Sequence, residues 1–373
     1  MNKVRNSNLE LYRIIVMLFI VAHHYVVNSG LLNVMGQDPL SIKSLLLYWF
    51  GMWGKTGINC FVLITGYFMC QSSITIRKFL KLLLEIELYK ILIYTIFVLT
   101  GYENFSLNGL VMAILPTNQI STNFSGCFLF FYLCIPFLNI LIHNLNQRKH
   151  LLLIVLCLIM YTVYSTVPRF HVTMNYVSWF CVLYFLSSYI RMYGFITPPY
   201  TKSKNCIGLI SRFFRGYTNI NNCWGWLTFA MVLLSMISVT TTIFINRQIG
   251  LSIRPYRWVE DSNALLAVLT AICSFMYFKD LNIKYNRFIN LVGSCTFGVL
   301  LIHANSDTMR HWLWKDILDN VGFYSTNYCI VHAVLSVIMI FCICTLIDYL
   351  RQLSIEKWIF KYIDTFLQKH NLK

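Results

Sequence analysis

Apolar residues in this chain follow neither the alternation of a half-buried strand nor a single helical stripe. They come in blocks of about 20 residues, the length that crosses a bilayer as helix, separated by short polar and basic segments. Ten blocks stand out, near 9–28, 44–70, 79–100, 124–143, 150–168, 174–193, 224–246, 261–278, 288–305 and 328–350. Blocks that are apolar all round predict helices buried in protein or lipid. The predicted fold class is therefore all-α: a polytopic integral membrane protein with about ten transmembrane helices, in one membrane domain over residues 1–373. The stretch "ENFSLNGLVMAILPTNQIS" (103–121) has an apolar centre too short to span, and predicts a dipping or interfacial segment. In the long connection 194–223, "CIGLISRFFRGY" sets Ile207, Ile210, Phe213 and Phe214 against Arg212 and Arg215. That pattern predicts a short helix lying on the inner leaflet. Residues 351–373 read as a cytoplasmic tail.

Composition agrees with the blocks. The chain is 57% hydrophobic and 12% charged, where soluble domains carry about 25% charged residues. The net charge of +16 does not indicate a nucleic-acid partner, because the basic residues lie between the blocks rather than along one stripe. Their distribution sets an orientation instead. Twenty of the thirty Lys and Arg fall in segments on one side of the alternating blocks, with the N-terminus and the tail, and seven on the other. By the positive-inside bias both termini are expected in the cytoplasm. The first block is too long for a cleavable signal peptide and lacks a small-residue cleavage site. Thirteen cysteines lie mostly within apolar blocks, with no Cys-x-x-Cys pair. They read as small hydrophobes, and no metal site is expected.

Three cations, Arg13, Lys55 and Lys90, fall inside blocks. The first opens "LYRIIVMLFIVAHHY" (11–25), which also carries His23 and His24. At about 100° per residue Arg13 and His24 are only about 20° from sharing one helical line, roughly 16 Å apart along the axis, while His23 is about 80° off it. Glu10, one turn before Arg13, is placed to pair with it. Ionisable residues within a membrane usually face a site or pathway. An arginine at the inner mouth suits a phosphate-bearing donor, and a deeper histidine suits proton abstraction. His23 reads as a helix–helix hydrogen-bonding residue. Glu85 and Glu87 are expected to pair with Lys81 and Lys90 along their own helix.

These residues carry a resemblance. "NLELYRIIVMLFIVAHHY" is similar to the first helix of the membrane acyltransferase-3 family, whose signature is a basic residue, ten residues, then a histidine. "GINCFVLITGYF" (57–68), "FFYLCIPFLNILI" (130–142) and "TFGVLLIHANS" (296–306) resemble later segments of the family in the same order. The resemblance implies ten helices, cytoplasmic termini and a bacterial inner membrane. It implies transfer of an acyl group, most often acetyl, from acyl-CoA to a hydroxyl of a cell-surface polysaccharide or its lipid-linked precursor. His24 would be the catalytic histidine, as base or acyl carrier, with Arg13 and Glu10 on the acyl-CoA path. Arg77, Lys78 and Lys81 stand near the family's Arg-x-x-Arg and would draw coenzyme A phosphates. Asn59 and His303 would stand behind the catalytic residue or meet the acceptor. The chain departs from the family at Ala304, where proline usually follows the histidine, and at Thr122-Asn123-Phe124, where aromatic residues are usual. A transporter or flippase is the alternative, disfavoured because no internal repeat or broken helix stands out; a membrane scaffold is a third. Acceptor, acyl length and oligomeric state stay open.

Overall fold

A computed structural model describes residues 6–115, 124–166, 174–194 and 220–370. Most of the 194–223 connection, and Thr122 and Asn123, lie outside the described residues. All regular structure among the described residues is helical. The elements are α1 (Ser7–Val27), α2 (Leu31–Met35), α3 (Ile42–Gly51), α4 (Gly54–Met69), α5 (Ile76–Leu99), α6 (Leu107–Ile114) and α7 (Phe124–Asn144). They continue as α8 (Gln147–Thr166, with a π turn within it), α9 (Tyr176–Tyr193), α10 (Ile220–Ile249), α11 (Leu265–Lys279) and α12 (Arg287–His303). α13 (Asp307–Ile317), α14 (Asn320–Tyr324), α15 (Cys329–Arg351) and α16 (Lys357–Lys369) complete the described chain.

Five helical stretches among these residues are long and apolar enough to cross a membrane, or six if α12 is taken with α13, into which it bends by 94°. The other apolar blocks form helices that are shorter, more polar or charge-bearing. The block at 44–70 is not one helix as expected but two, α3 and α4, broken at Met52 and Trp53. The reason lies in the glycines "GMWG". Gly disfavours helix interiors, and here it also permits contact with α1. A Cβ on Gly51 would stand 2.6 Å from Val26, one on Gly54 2.3 Å from the His23 ring, and one on Gly57 2.6 Å from Ile20. Three glycines at intervals of three thus meet residues 26, 23 and 20 of an antiparallel helix, the small-residue seam that lets membrane helices approach closely.

α1 lies alongside α12 in the parallel sense. Near its start, Ser7 donates to Asn290 (3.1 Å) and Asn8 accepts from the Ile283 amide (3.0 Å). Gly293 leaves room for Glu10, whose Oε2 stands 2.5 Å from where a Cβ would be. α15 runs antiparallel to α12, with Asp348 packed into the space left by Gly298.

One expectation about charge needs correction. Glu85 pairs with Arg351 of α15 (3.0 Å), not with Lys81, which reaches Glu356; Lys90 donates to the Leu115 carbonyl (2.7 Å) and stays within electrostatic reach of Glu87, as expected. Tertiary partners win because Arg351 is buried among acids: it also holds Asp348 (2.8 Å) and Glu356 (2.9 Å). Asp348 in turn accepts from Tyr89 (2.7 Å) and Gln352 (2.7 Å). Nor is the segment after 350 a plain tail. α15 passes through a π turn at Gln352–Glu356 into α16, which buries Phe360 and Leu367 and receives a two-pronged bond from Arg77 to Asp364 (2.6 and 3.1 Å).

Arg351→Ala strands buried carboxylates and is expected to cost about 3–5 kcal/mol. Arg77→Ala breaks a half-exposed pair and is expected to cost about 1 kcal/mol or less. Melting of the two variants in the same detergent distinguishes them; equal melting points would contradict this ranking.

Candidate active site

Parallel packing of α1 on α12 brings two histidines together. His24 Nδ1 lies 2.9 Å from His303 Nε2, with ring centroids 5.1 Å apart. His303 Nδ1 lies 2.6 Å from the Val299 carbonyl one turn back. The partners dictate the protons. A carbonyl only accepts, so His303 Nδ1 carries hydrogen and, in the neutral ring, its Nε2 is bare. That bare nitrogen accepts from His24 Nδ1–H, which leaves His24 Nε2 with a free lone pair. His303 is fully buried and His24 partly so.

His24 lines a cavity of ≈ 530 Å³ formed by α1, α4, α9, α12 and the connection before α11. The bend at the end of α12 folds α13 back over this end of the bundle. Arg310 of α13 donates to the Ala304 carbonyl (3.2 Å) and pairs with Asp307 (2.7 Å), while buried Trp314 stands edge-on to His303. Lys55, Lys90, Arg310, Glu260 and Tyr176 also line the cavity. Lys55 donates to the Tyr176 hydroxyl, and Glu260 pairs with Arg254. Lys55 and Arg310 both lie within electrostatic reach of His24.

The expected site residues are only partly gathered here. His24 and His303 meet; Arg13 and Glu10 do not join them. They pair with each other (3.5 Å) toward the other end of α1, whose contribution to the cavity begins at Ile20. His23 also lines the cavity, but its Nδ1 is tied to the Gly51 carbonyl at 2.6 Å. Arg77, Lys78 and Lys81 sit on the first turns of α5. Arg77 and Lys81 are engaged with α16 and the turn before it, and Lys78 reaches Ser72 and the Ser73 carbonyl (2.9 and 2.6 Å). Asn59 is fully buried, donating to the Ser262 carbonyl (2.6 Å) and accepting from Trp179 (2.9 Å); its amide ties α4 to α9 and the start of α11.

Sequence reasoning did not single out Lys55, Arg310, Glu260 or Tyr176. For Lys55 the signal was present: a cation inside an apolar block, like Arg13. Arg310 and Glu260 lie between the apolar blocks, and only the bend into α13 and the connection before α11 bring them to the cavity.

An all-helical membrane bundle with a polar, histidine-bearing cavity defines a class of integral membrane enzyme candidates. The sequence profile of an acyltransferase domain matches residues 6–349 of the 373, and the chain belongs to the acyltransferase-3 family. Comparison with curated proteins and with solved structures returned no match.

Asn59→Ala leaves the Trp179 N–H and the Ser262 carbonyl without these partners. It is expected to lower stability by about 1–3 kcal/mol; an unchanged melting point would contradict a structural role for the amide.

Proposed function

We propose that the protein is a membrane O-acyltransferase that moves an acyl group, most often acetyl, from acyl-CoA to a hydroxyl of a cell-surface polysaccharide or its lipid-linked precursor, with His24 as general base. The observation that carries this is the chain Val299 carbonyl–His303–His24, which leaves Nε2 as the free nitrogen of a ring that lines a polar cavity. In the reaction His24 Nε2 takes the proton of the acceptor hydroxyl, whose oxygen attacks the thioester carbonyl. The resulting tetrahedral oxyanion collapses, the C–S bond breaks, and the departing thiolate takes the proton back from His24. Positive charge near the developing oxyanion lowers its energy, the role given to Lys55 and Arg310.

In this proposal ten helices span a bacterial inner membrane with both termini in the cytoplasm. The donor approaches the end of the bundle that carries Arg13. Of the three cations on the first turns of α5, Lys78, bonded only to neutral partners in the described residues, is the one left to attract coenzyme A phosphates, while Arg77 holds α16 and Lys81 the turn before it. From Arg13 to His24 is about 16 Å of helix, which the pantetheine arm and thioester are to bridge. The parallel α1–α12 pair supports this division: binding charge at one end, reacting group at the other.

Removal of a general base costs about 10²–10⁴-fold in rate. His24→Ala is expected to lose transfer to at least that extent while remaining folded, measured as acetyl transfer from labelled acetyl-CoA in membranes expressing the protein. His303→Ala is expected to lose kcat with donor affinity retained, and His23→Ala to keep most activity. Normal transfer by His24→Ala contradicts the mechanism. Binding of acetyl-CoA to the purified protein is expected to weaken in Arg13→Ala; unchanged binding removes Arg13 from the donor path.

A further inference from the structure

Exposed apolar residues of α15 continue onto α16 in one line. Leu346, Leu350 and Leu353 are exposed on α15 and the turn after it, and Trp358, Tyr362 and Phe366 on α16. Neighbours on this line are three or four residues apart, the spacing of one helical face, except for a step of five from Leu353 to Trp358. That step falls across the π turn Gln352–Glu356, where bonding runs from each residue to the fifth beyond it. The π turn thus carries the line onto α16, and the aromatic rings continue the face that membrane-spanning α15 leaves uncovered.

The chemistry of the line changes along its length. From Val331 to Leu353 every exposed large apolar residue is non-aromatic, over about 33 Å of helix, close to the ~30 Å of a hydrocarbon core. Exposed aromatic rings stand at both ends of this span. Tyr328 is 72% exposed before α15, and Trp358, Tyr362 and Phe366 are 64%, 60% and 57% exposed after it. Tyr328 and Trp358 are about 45 Å apart along the helix, about the thickness of a bilayer with its headgroups. Trp and Tyr gather at headgroup level in membrane proteins.

The other side of α16 is already engaged: Phe360 and Leu367 are buried and Asp364 holds Arg77 (2.6 Å). Asp364 is the only acid of α16. Lys357, Lys361 and Lys369 are exposed, and none of them makes an ion pair among the described residues. At about 100° per residue Lys361 and Lys369 fall within about 60° of Trp358, beside the aromatic line. A second copy of α16 laid on this line would set lysine against lysine, whereas anionic headgroups attract them.

We infer that α16 is an interfacial helix, with Trp358, Tyr362 and Phe366 lying in the headgroup layer of the leaflet at the Ser7 end and its lysines on the phosphates of anionic phospholipid. Bound to Arg77 on one side and to headgroups on the other, α16 holds the first turn of α5 at the membrane surface.

The test places the photo-crosslinker p-benzoylphenylalanine at Tyr362, Leu346 or Gln368 of the full chain. Each protein is reconstituted in vesicles of phosphatidylcholine, alone or mixed with phosphatidylglycerol, and adducts are identified by mass spectrometry after illumination. Leu346 faces hydrocarbon and reports insertion; Gln368 lies on the polar side of α16. The Tyr362 probe is expected to give phospholipid adducts, in a yield that rises roughly fivefold with phosphatidylglycerol. The Leu346 probe should label lipid equally in both vesicles, and the Gln368 probe only weakly. Lys361→Gln with Lys369→Gln should remove the effect of phosphatidylglycerol at Tyr362 and leave labelling from Leu346 unchanged. The inference is overturned by a Tyr362 probe that gives no phospholipid adduct where the Leu346 probe does, by crosslinks between two copies of the chain in place of lipid, or by a Tyr362 yield indifferent to phosphatidylglycerol.

Discussion

Inside a bilayer a polar side chain finds no water, so it must be satisfied by another part of the chain or by a ligand. The described structure can be understood as a set of answers to that constraint. Asn59 is answered by Trp179 and Ser262, and Glu85 and Asp348 by Arg351. His303 is answered by its own helix on one nitrogen and by His24 on the other. Of these two rings His24 retains the unused lone pair, and it lines a cavity. The difference between the fixed polar groups and the one proposed to react is a matter of which hydrogen-bonding positions the fold leaves open.

Backbone approach makes those answers possible. Glycines at 51, 54 and 57 bring α3 and α4 against α1, and Gly293 and Gly298 admit Glu10 and Asp348 onto α12. Because α1 and α12 run parallel, contact between Ser7 and Asn290 at one end is compatible with contact between His24 and His303 at the other. The ion cluster around Arg351 locks α5 and α15 together at the Ser7 end, and the fold-back of α13 closes the His24 end with Arg310. Rigid anchoring at both ends is what a site needs if a base is to be held in one tautomer and one orientation.

Much of this was legible in the chain. Length and apolarity of the blocks predicted helices and a membrane, and the interval between Arg13 and His24 picked out the histidine that meets His303. His303 entered through the resemblance of its segment, and it meets His24 because both lie far along helices that run the same way. Other features depended on partners distant in sequence. Local spacing offered Glu85 a lysine at 81, but Arg351, 266 residues away, took it. The break between α3 and α4 was written in "GMWG" yet masked by the continuous apolarity around it. Lys55 could have been recognised by the rule that singled out Arg13, whereas Arg310 and Glu260 could not, since only the bend after His303 and the connection before α11 carry them to the cavity.

The central claim is that His303 fixes the tautomer of His24 and leaves its Nε2 free. Nitrogen-15 spectra of the histidine side chains, assigned by the signals lost in His24→Ala and His303→Ala, measure this directly in the reconstituted protein. The account predicts that at neutral pH both rings carry hydrogen on Nδ1 and none on Nε2, and that the His24 Nδ1–H resonance shifts when His303 is replaced. A His24 ring that carries its proton on Nε2, or that is indifferent to His303, would contradict it.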